Sequence, residues 1–286
     1  MTTEPTVRSR SVEEEEEVAV SKDSKPTFRL SAQLLYMGLM FFLMYLPIGV
    51  LTFYSFNDSA YSADWQGFTL KWYVELMDDT RILNALSNSL IVALVSVAVS
   101  AVLGTLMAVG LARYQFWGRK LYLGFSYLPL IVPDIAIAVA TLVFLASIGI
   151  SLSIWTIIGA HVVFCLAYIA IVVSTRLGDL DPYLEEAAMD LGATPVQAFI
   201  KVLLPQLMPG IVSGCLLAFV LSLDDFLIAS FTAGTGATTL PMEIFSRIRT
   251  GVKPDVNALS VILILASGFI AAMGEYIRYR SERGKG

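Results

Sequence analysis

Three carboxylic acids stand inside long apolar runs: Asp134, Asp224 and Asp225. A carboxylate near the centre of a bilayer costs about 2.5–3.5 kcal/mol on insertion scales, so each one needs a purpose. No Lys or Arg shares those runs, which leaves no basic side chain to neutralise them. Unpaired acids at membrane depth point to a path for a cation. At 1.5 Å rise per residue Asp134 lies roughly 20 Å and Asp224 roughly 24 Å into their spans, both in the outer half of the membrane. Pro129 and Pro133 each remove a helix hydrogen bond and free a carbonyl one turn back, at Phe125 and Pro129. Carboxylates, freed carbonyls and the aromatic faces of Trp65, Trp72 and Tyr127 together suit a ligand that carries ammonium groups. The plainer reading is that the acids cap broken helices or bond Ser and Thr. Ser222, one turn from Asp225, serves either reading. Adjacent residues on a helix point about 100° apart, so Asp224 and Asp225 cannot both face one pathway on a regular helix.

Other chemistry is sparse. His161 is the single histidine, one helical turn before Cys165. Two potential ligands do not make a metal site, and we read a packed polar pair. Cys165 and Cys215 lie in apolar runs with no CxxC spacing, so neither a zinc site nor a disulfide scaffold is expected. No G-x-x-x-x-G-K-[ST] run occurs, which argues against a P-loop nucleotide site.

These residues need a membrane scaffold to place them. The chain is 56% apolar and 15% charged, against about 25% charged in soluble domains. Of its 43 charged residues 12 fall in residues 1–29, so the remainder is more apolar still. That excludes an ordinary soluble domain, and a net charge of −5 offers no basic field for nucleic acid. Six stretches have the roughly 20 apolar residues that a bilayer core of about 30 Å requires. They are Leu34–Phe56, Ser89–Ala112, Leu121–Ser147, Ile154–Thr175, Met208–Phe231 and Ala258–Ile277. The expected fold class is all-α: a polytopic membrane protein with six transmembrane helices and a short pair of cytoplasmic helices. Segments on one side hold 14 Lys/Arg against 5 on the other, which places both termini in the cytoplasm. The weak point is the last outer loop, with Arg247, Arg249 and Lys253. Residues 1–30, with the run Glu13 to Glu17, read as a disordered acidic tail. Residues 31–280 form the six-helix domain, and 281–286 a short cytoplasmic tail.

The cytoplasmic loop 176–206 is the most informative segment. Asp181-Pro182 is a helix start, helix formers run from Leu184 to Leu191, and Gly192 suits a left-handed end. Thr194-Pro195 repeats the start, and Val196 to Leu204 suit a second short helix. Leu184, Ala187, Ala188 and Leu191 share one apolar face. A stripe of that kind outside the membrane either lies on the bilayer surface or enters a groove on a partner.

Glu186-Ala187-Ala188, then Gly192, then Leu204-Pro205 match the signature E-A-A-x3-G-x9-I-x-L-P of permease subunits of ABC importers, with Val202 in place of Ile. In that family the loop forms coupling helices that dock into a cleft of a cytoplasmic ATPase. The resemblance implies that Glu186, Ala187, Ala188, Gly192, Leu204 and Pro205 serve that contact. Further stretches, LPLIVPDIAIA, SLDDFLIASF, GATTLPMEIF and GVKPDVNALS, resemble the second permease of spermidine/putrescine importers, as do YLPIGVLTFYSFN and WQGFTLKWY. The similarity covers roughly residues 36–277, and the acidic tail has no counterpart in it.

The resemblance implies a type I ABC importer permease in the bacterial inner membrane, a transport subunit and not an enzyme. It implies as partners a dimer of ATPase subunits, a second permease forming a heterodimer, an extracytoplasmic solute-binding protein and membrane lipid. This chain would bind no cofactor, the ATP and Mg belonging to the ATPase. Two rivals use the same acids. A secondary cation transporter with Asp134 and Asp224 as a proton relay leaves the loop without a role. An intramembrane aspartyl protease needs two carboxylates on one water, and the PDI and LDDF contexts lack its flanking pattern.

Overall fold

The computed structural model describes residues 27–59, 64–251 and 253–283. The acidic run Glu13 to Glu17, Tyr61 and residues 284–286 lie outside them. Among the described residues the chain is helical, with no strand and one isolated bridge between Asn57 and Phe68.

Contacts divide the chain into two units, residues 1–54 and 55–286. Among its described residues the first holds the helix α1 (Thr27–Tyr54), with Pro47 inside it. Its sequence is apolar on every face, as a helix immersed in lipid requires.

The second unit begins with a short helix, α2 (Lys71–Asp78), and a long one, α3 (Thr80–Arg113). Asp79 starts α3 by accepting the N–H groups of Arg81 and Ile82 at 3.0 and 3.2 Å. The second span therefore starts nine residues before the expected Ser89, because a side-chain cap and not the onset of apolar sequence sets the helix start.

Next come α4 (Arg119–Ser126), a 3₁₀ turn at Leu128–Leu130 and α5 (Asp134–Ser147). The expected continuous third span is bent by 107° between Leu130 and Asp134. Pro129 and Pro133 flank this break, where a ring replaces an N–H and pushes the preceding residue out of the α region.

The centre of the unit is α6 (Ile154–Gly178). It packs against α3 and against α9 (Leu204–Asp224). Small and hydroxylic residues let the backbones approach, as in membrane helix pairs. Ser96 and Ser100 of α3 donate to the carbonyls of Ile158 and Val162, both at 3.2 Å. A Cβ at Gly104 would stand 3.1 Å from the Leu166 carbonyl.

Between α6 and α9 the chain forms α7 (Leu184–Asp190) and α8 (Pro195–Ala198). A π-helical turn, Phe199–Leu203, joins α8 to α9. The expected second short helix is thus the start of a 30-residue helical run, Pro195–Asp224. The wider turn falls just before Pro205, whose ring would otherwise meet a carbonyl one turn back.

After α9 come α10 (Leu227–Thr232), α11 (Leu240–Thr250) and α12 (Pro254–Arg283). The expected fifth span, Met208–Phe231, is therefore interrupted after Asp224. Gln33–Tyr54, Thr80–Arg113, Ile154–Gly178 and Pro195–Asp224 are long and apolar enough to cross a bilayer, and the bent pair makes a fifth crossing. The apolar stretch Pro254–Phe269 of α12 takes the place of the sixth.

Candidate functional site

The break after α9 separates the two adjacent aspartates. Asp225 has extended backbone, φ −68° and ψ 124°. Its Oδ1 accepts the Ile228 N–H at 3.3 Å and its Oδ2 accepts the Ala229 N–H at 2.8 Å. It caps α10, at a helix N-terminus that favours negative charge. Asp224 is the last residue of α9, at a helix C-terminus whose free carbonyls favour a cation. Its side chain is exposed, and it pairs with no cation or donor among the described residues. Asp225 thus caps a helix, as the plainer reading has it, while Asp224 and Asp134 have no partner among the described residues.

The absence of Lys and Arg from the spans does not leave Asp225 alone. His161 of α6 is fully buried. Its Nε2 stands 3.2 Å from Asp225 Oδ2, near enough to pair though outside hydrogen-bond alignment. Its Nδ1 shares a 2.7 Å hydrogen bond with Ser222 Oγ. The expected pairing of His161 with Cys165 is replaced by this one, since Cys165 Sγ turns to the Ala218 carbonyl at 3.8 Å. Ser222 is thus brought to Asp225 through the imidazole and is buried.

Asp134 is exposed at the first turn of α5. Because the 107° bend immediately precedes it, a depth counted along one straight span does not apply. Helix α5 packs on α10, and so Asp134 belongs to the same neighbourhood of elements as the break. Tyr127 is half-buried where α4 meets the 3₁₀ turn.

The two tryptophans lie in the outer segment before α3. Trp65 is exposed. Trp72 donates its Nε1–H to the Asn57 carbonyl at 2.7 Å and packs beside Leu76, Ile82 and Leu240. Lys71 Nζ lies over its ring at 4.7 Å from the centroid, so one cation already uses that face. Trp72 braces the outer segment, which corrects its expected place among the open ligand faces. Asn57 completes the brace, donating to the Asp64 carbonyl at 2.7 Å and accepting the Gln66 N–H at 2.9 Å. Lys71 also pairs with Asp58.

Arg247 joins three elements at the outer end. Its guanidinium meets Glu243 of α11 at 2.9 Å, Asp255 of α12 at 3.0 Å and Asp79, the cap of α3, at 2.6 Å. Burial works against the Asp79 carboxylate. The Arg247 hydrogen bond and charge, with the N–H groups of Ile82 and Arg81, outweigh it and hold the pKa below the usual value. Burial likewise opposes the Arg247 charge, and Asp79 and Glu243 overcome it, raising that pKa.

The cytoplasmic loop matches its expected outline and departs in detail. Asp181 Oδ1 accepts the Tyr183 N–H at 2.9 Å, and α7 starts three residues after Asp181. Gly192 adopts φ +91°. Its N–H donates to the Met189 carbonyl at 2.8 Å and the Ala193 N–H to the Ala188 carbonyl at 3.1 Å. This is a Schellman end, which needs a residue without Cβ strain. Thr194 and Gln197 form a reciprocal capping box at 3.0 and 3.3 Å. The apolar stripe splits: Leu184 and Ala188 turn inward by half, while Ala187 and Leu191 face out, Leu191 at 90% exposure. Glu186 is exposed beside them, whereas Glu185 pairs with Arg113 at 2.6 Å. Leu204 is half-buried and Pro205 exposed.

Residues 100–284 match the family described as "Binding-protein-dependent transport system inner membrane component". The chain is 41% identical over 271 residues to the putrescine transport system permease protein PotI of Escherichia coli K12, covering 90% of this chain and 94% of that one. It is 37% identical over 242 residues to the spermidine/putrescine transport system permease protein PotC of Haemophilus influenzae, covering 85% and 94%. The chain belongs to the binding-protein-dependent transport permeases. Its fold agrees. A chain of a bacterial ABC transporter involved in import of the acidic polysaccharide alginate matches with TM-score 0.70 at 14% identity, covering 90% of this chain and 99% of that one. A chain of the MetNI methionine ABC transporter in inward-facing conformations matches with TM-score 0.55 at 23% identity, covering 73% and 97%. This is the type I importer architecture.

As a permease of this family the chain is a transport component of the inner membrane, not an enzyme. Two features of this permease escaped sequence reading. His161 has no local signal, because its partners lie 61 and 64 residues later. Arg247 counted only as one more basic residue in the loop, yet three acids surround it.

Proposed function

We propose that this permease forms half of the pathway of an ATP-driven polyamine importer, with Asp224 as the principal contact for a substrate ammonium group. The observation that carries the reading is the exposed, unpaired carboxylate of Asp224 at the C-terminal end of a broken helix. Both the carboxylate and the helix end attract a cation. The likeness to PotI and PotC favours putrescine or spermidine over an inorganic cation. Asp134, Tyr127 and Trp65 line the same route, and Ser222 and Asp225 support it from behind. Unpaired acids argue against an anionic cargo.

The exposed surface of Ala187, Leu191 and Glu186, with Gly192 at the elbow and Leu204 and Pro205 leading into α9, docks on the ATPase. Nucleotide and Mg stay on that subunit. ATP-driven closure of two ATPase copies would move this element, and through the continuous run Pro195–Asp224 it would move Asp224. A second permease supplies the other half as a heterodimer, and a solute-binding protein delivers the cation at the outer face. Both termini are cytoplasmic in this arrangement. A secondary transporter would leave the loop's exposed apolar face with nothing to cover it.

The test is putrescine and spermidine uptake with ATPase activity in proteoliposomes containing the full complex. Asp224→Asn lowers uptake by about 100-fold while the complex still assembles, the scale of a misplaced or missing contact at the reacting position. Glu186→Lys leaves basal ATPase intact and removes its stimulation by the loaded binding protein. Normal uptake with Asp224→Asn refutes the cation role, and uptake without any ATPase refutes the permease reading.

A further inference from the structure

The break between α9 and α10 contains no Gly or Pro, since residues 215–233 hold neither. The local device is the Asp225 carboxylate, which accepts the Ile228 and Ala229 N–H groups and starts α10. Continuation through Asp225 and Phe226 would satisfy the backbone groups that the break leaves free. A cap of about 1 kcal/mol competes with that continuation, so what holds the Asp225 carboxylate in place matters.

His161 is placed to do so. Its two ring nitrogens face the two sides of the break. Nδ1 bonds Ser222 in the last turn of α9, and Nε2 stands 3.2 Å from Asp225, the cap of α10. A carboxylate opposite Nε2 favours the proton there, which leaves Nδ1 to accept from the Ser222 hydroxyl. The same helix grips the other end of α10: Thr156 Oγ1 lies 2.7 Å from the Thr232 carbonyl. Five residues separate the two grips on α6 and seven separate their targets, so α10 is pinned antiparallel to the most buried helix of the unit. If the cap were released and α9 continued, Asp225 and Phe226 would take helical positions about 100° apart, α10 would be carried off α6, and an added turn would cover the helix end at which Asp224 now stands.

We propose that His161 is a positioning residue: by engaging Ser222 and Asp225 across the break it holds the end of α9 open and keeps Asp224 uncovered at a free helix end. This rests on the reading of Asp224 as the cation contact, and the two are separable by experiment. A Gln amide nitrogen reaches the place of Nε2, whereas that of Asn reaches only the place of Nδ1. Positioning across the break therefore requires that His161→Gln work and His161→Asn fail, while a space-filling role treats the two alike.

The first arm needs no substrate. In the full complex, with Cys165 and Cys215 of this chain replaced by Ala, Asp224→Cys is labelled with a membrane-impermeant cationic thiol reagent. His161→Asn slows modification by about tenfold, and His161→Gln restores it to within about threefold, the range expected for a displaced side chain. An unchanged or faster rate in His161→Asn overturns the proposal, as does equal slowing in both variants. If His161→Asn does not assemble, Asp225→Asn, which removes the carboxylate facing Nε2, carries the same test: slower labelling supports the proposal and an unchanged rate overturns it. The second arm measures putrescine uptake with Asp224 intact, where His161→Asn raises the apparent KM about tenfold, by the same displacement. Slowed labelling with unchanged KM leaves His161 as a positioning residue and refutes the cation role of Asp224 instead.

Discussion

Two neighbouring aspartates of the same type have opposite roles because they stand at opposite helix ends. Asp225 faces two N–H groups and an imidazole. Asp224 faces no donor among the described residues. Replacement should separate them. Asp225→Asn loses an acceptor for α10 and costs about 1–3 kcal/mol of stability, the cost of a buried donor left unmade, read as a lower melting temperature of the purified complex. Asp224→Asn leaves that melting temperature unchanged and lowers uptake. Trp72 is a further case of a residue whose role is structural. Trp72→Phe removes the bond to the Asn57 carbonyl and should cost about 1 kcal/mol, with no change in the KM for putrescine.

Among elements, the short helix α10 and the loop around α7 and α8 show how closely local geometry is set. The chain after α10 passes so near the turn before α6 that a Cβ at Gly234 would collide with the Leu152 carbonyl. Gly234→Ala therefore forces backbone to move, and overpacking of that kind costs about 1–3 kcal/mol. It should lower uptake and stability together, whereas Gly236→Ala, where no atom lies within 4 Å of the added Cβ but φ is +81°, should cost about 1 kcal/mol from backbone strain alone. On the cytoplasmic side Thr194→Ala deletes one half of the capping box and should cost about 1 kcal/mol of local helix stability. Hydrogen exchange would show it as faster exchange confined to residues 194–198. Of the EAA stripe, the exposed Leu191 and Ala187 are free to meet a partner, while Leu184 and Ala188 serve the fold. Sequence periodicity alone could not divide them, since both pairs share the helical spacing.

For the molecule as a whole the outer end is tied by Arg247, which joins the start of α3, α11 and α12. The pKa of Asp79 is lower folded than unfolded. Its contribution to stability is therefore fully present above the unfolded value of about 3.9 and is lost as pH falls through the lower folded value. The melting temperature of the complex should drop as pH falls below about 4, and Asp79→Asn should remove part of that drop. Arg247→Met leaves three carboxylates without their cation and should destabilise the complex at pH 7 by more than Asp79→Asn does.

The sequence by itself determined the class of the protein, its apolar spans and the coupling loop. Span length and charge are set by the bilayer, and the loop signature is contiguous: Glu186 to Pro205 can be read along the chain, and Gly192 and Thr194 take the conformations that their side chains favour. The acids Asp134, Asp224 and Asp225 were equally visible, because an apolar background exposes any charge. What only the tertiary structure decided was which of those acids is engaged. That depends on the contact of Asp225 with His161, distant along the chain, which exists only once α6 packs against α9 and α10. The 107° bend before Asp134 and the embrace of Arg247 by Asp79, Glu243 and Asp255 were settled in the same way, by contacts between segments that no window of sequence contains.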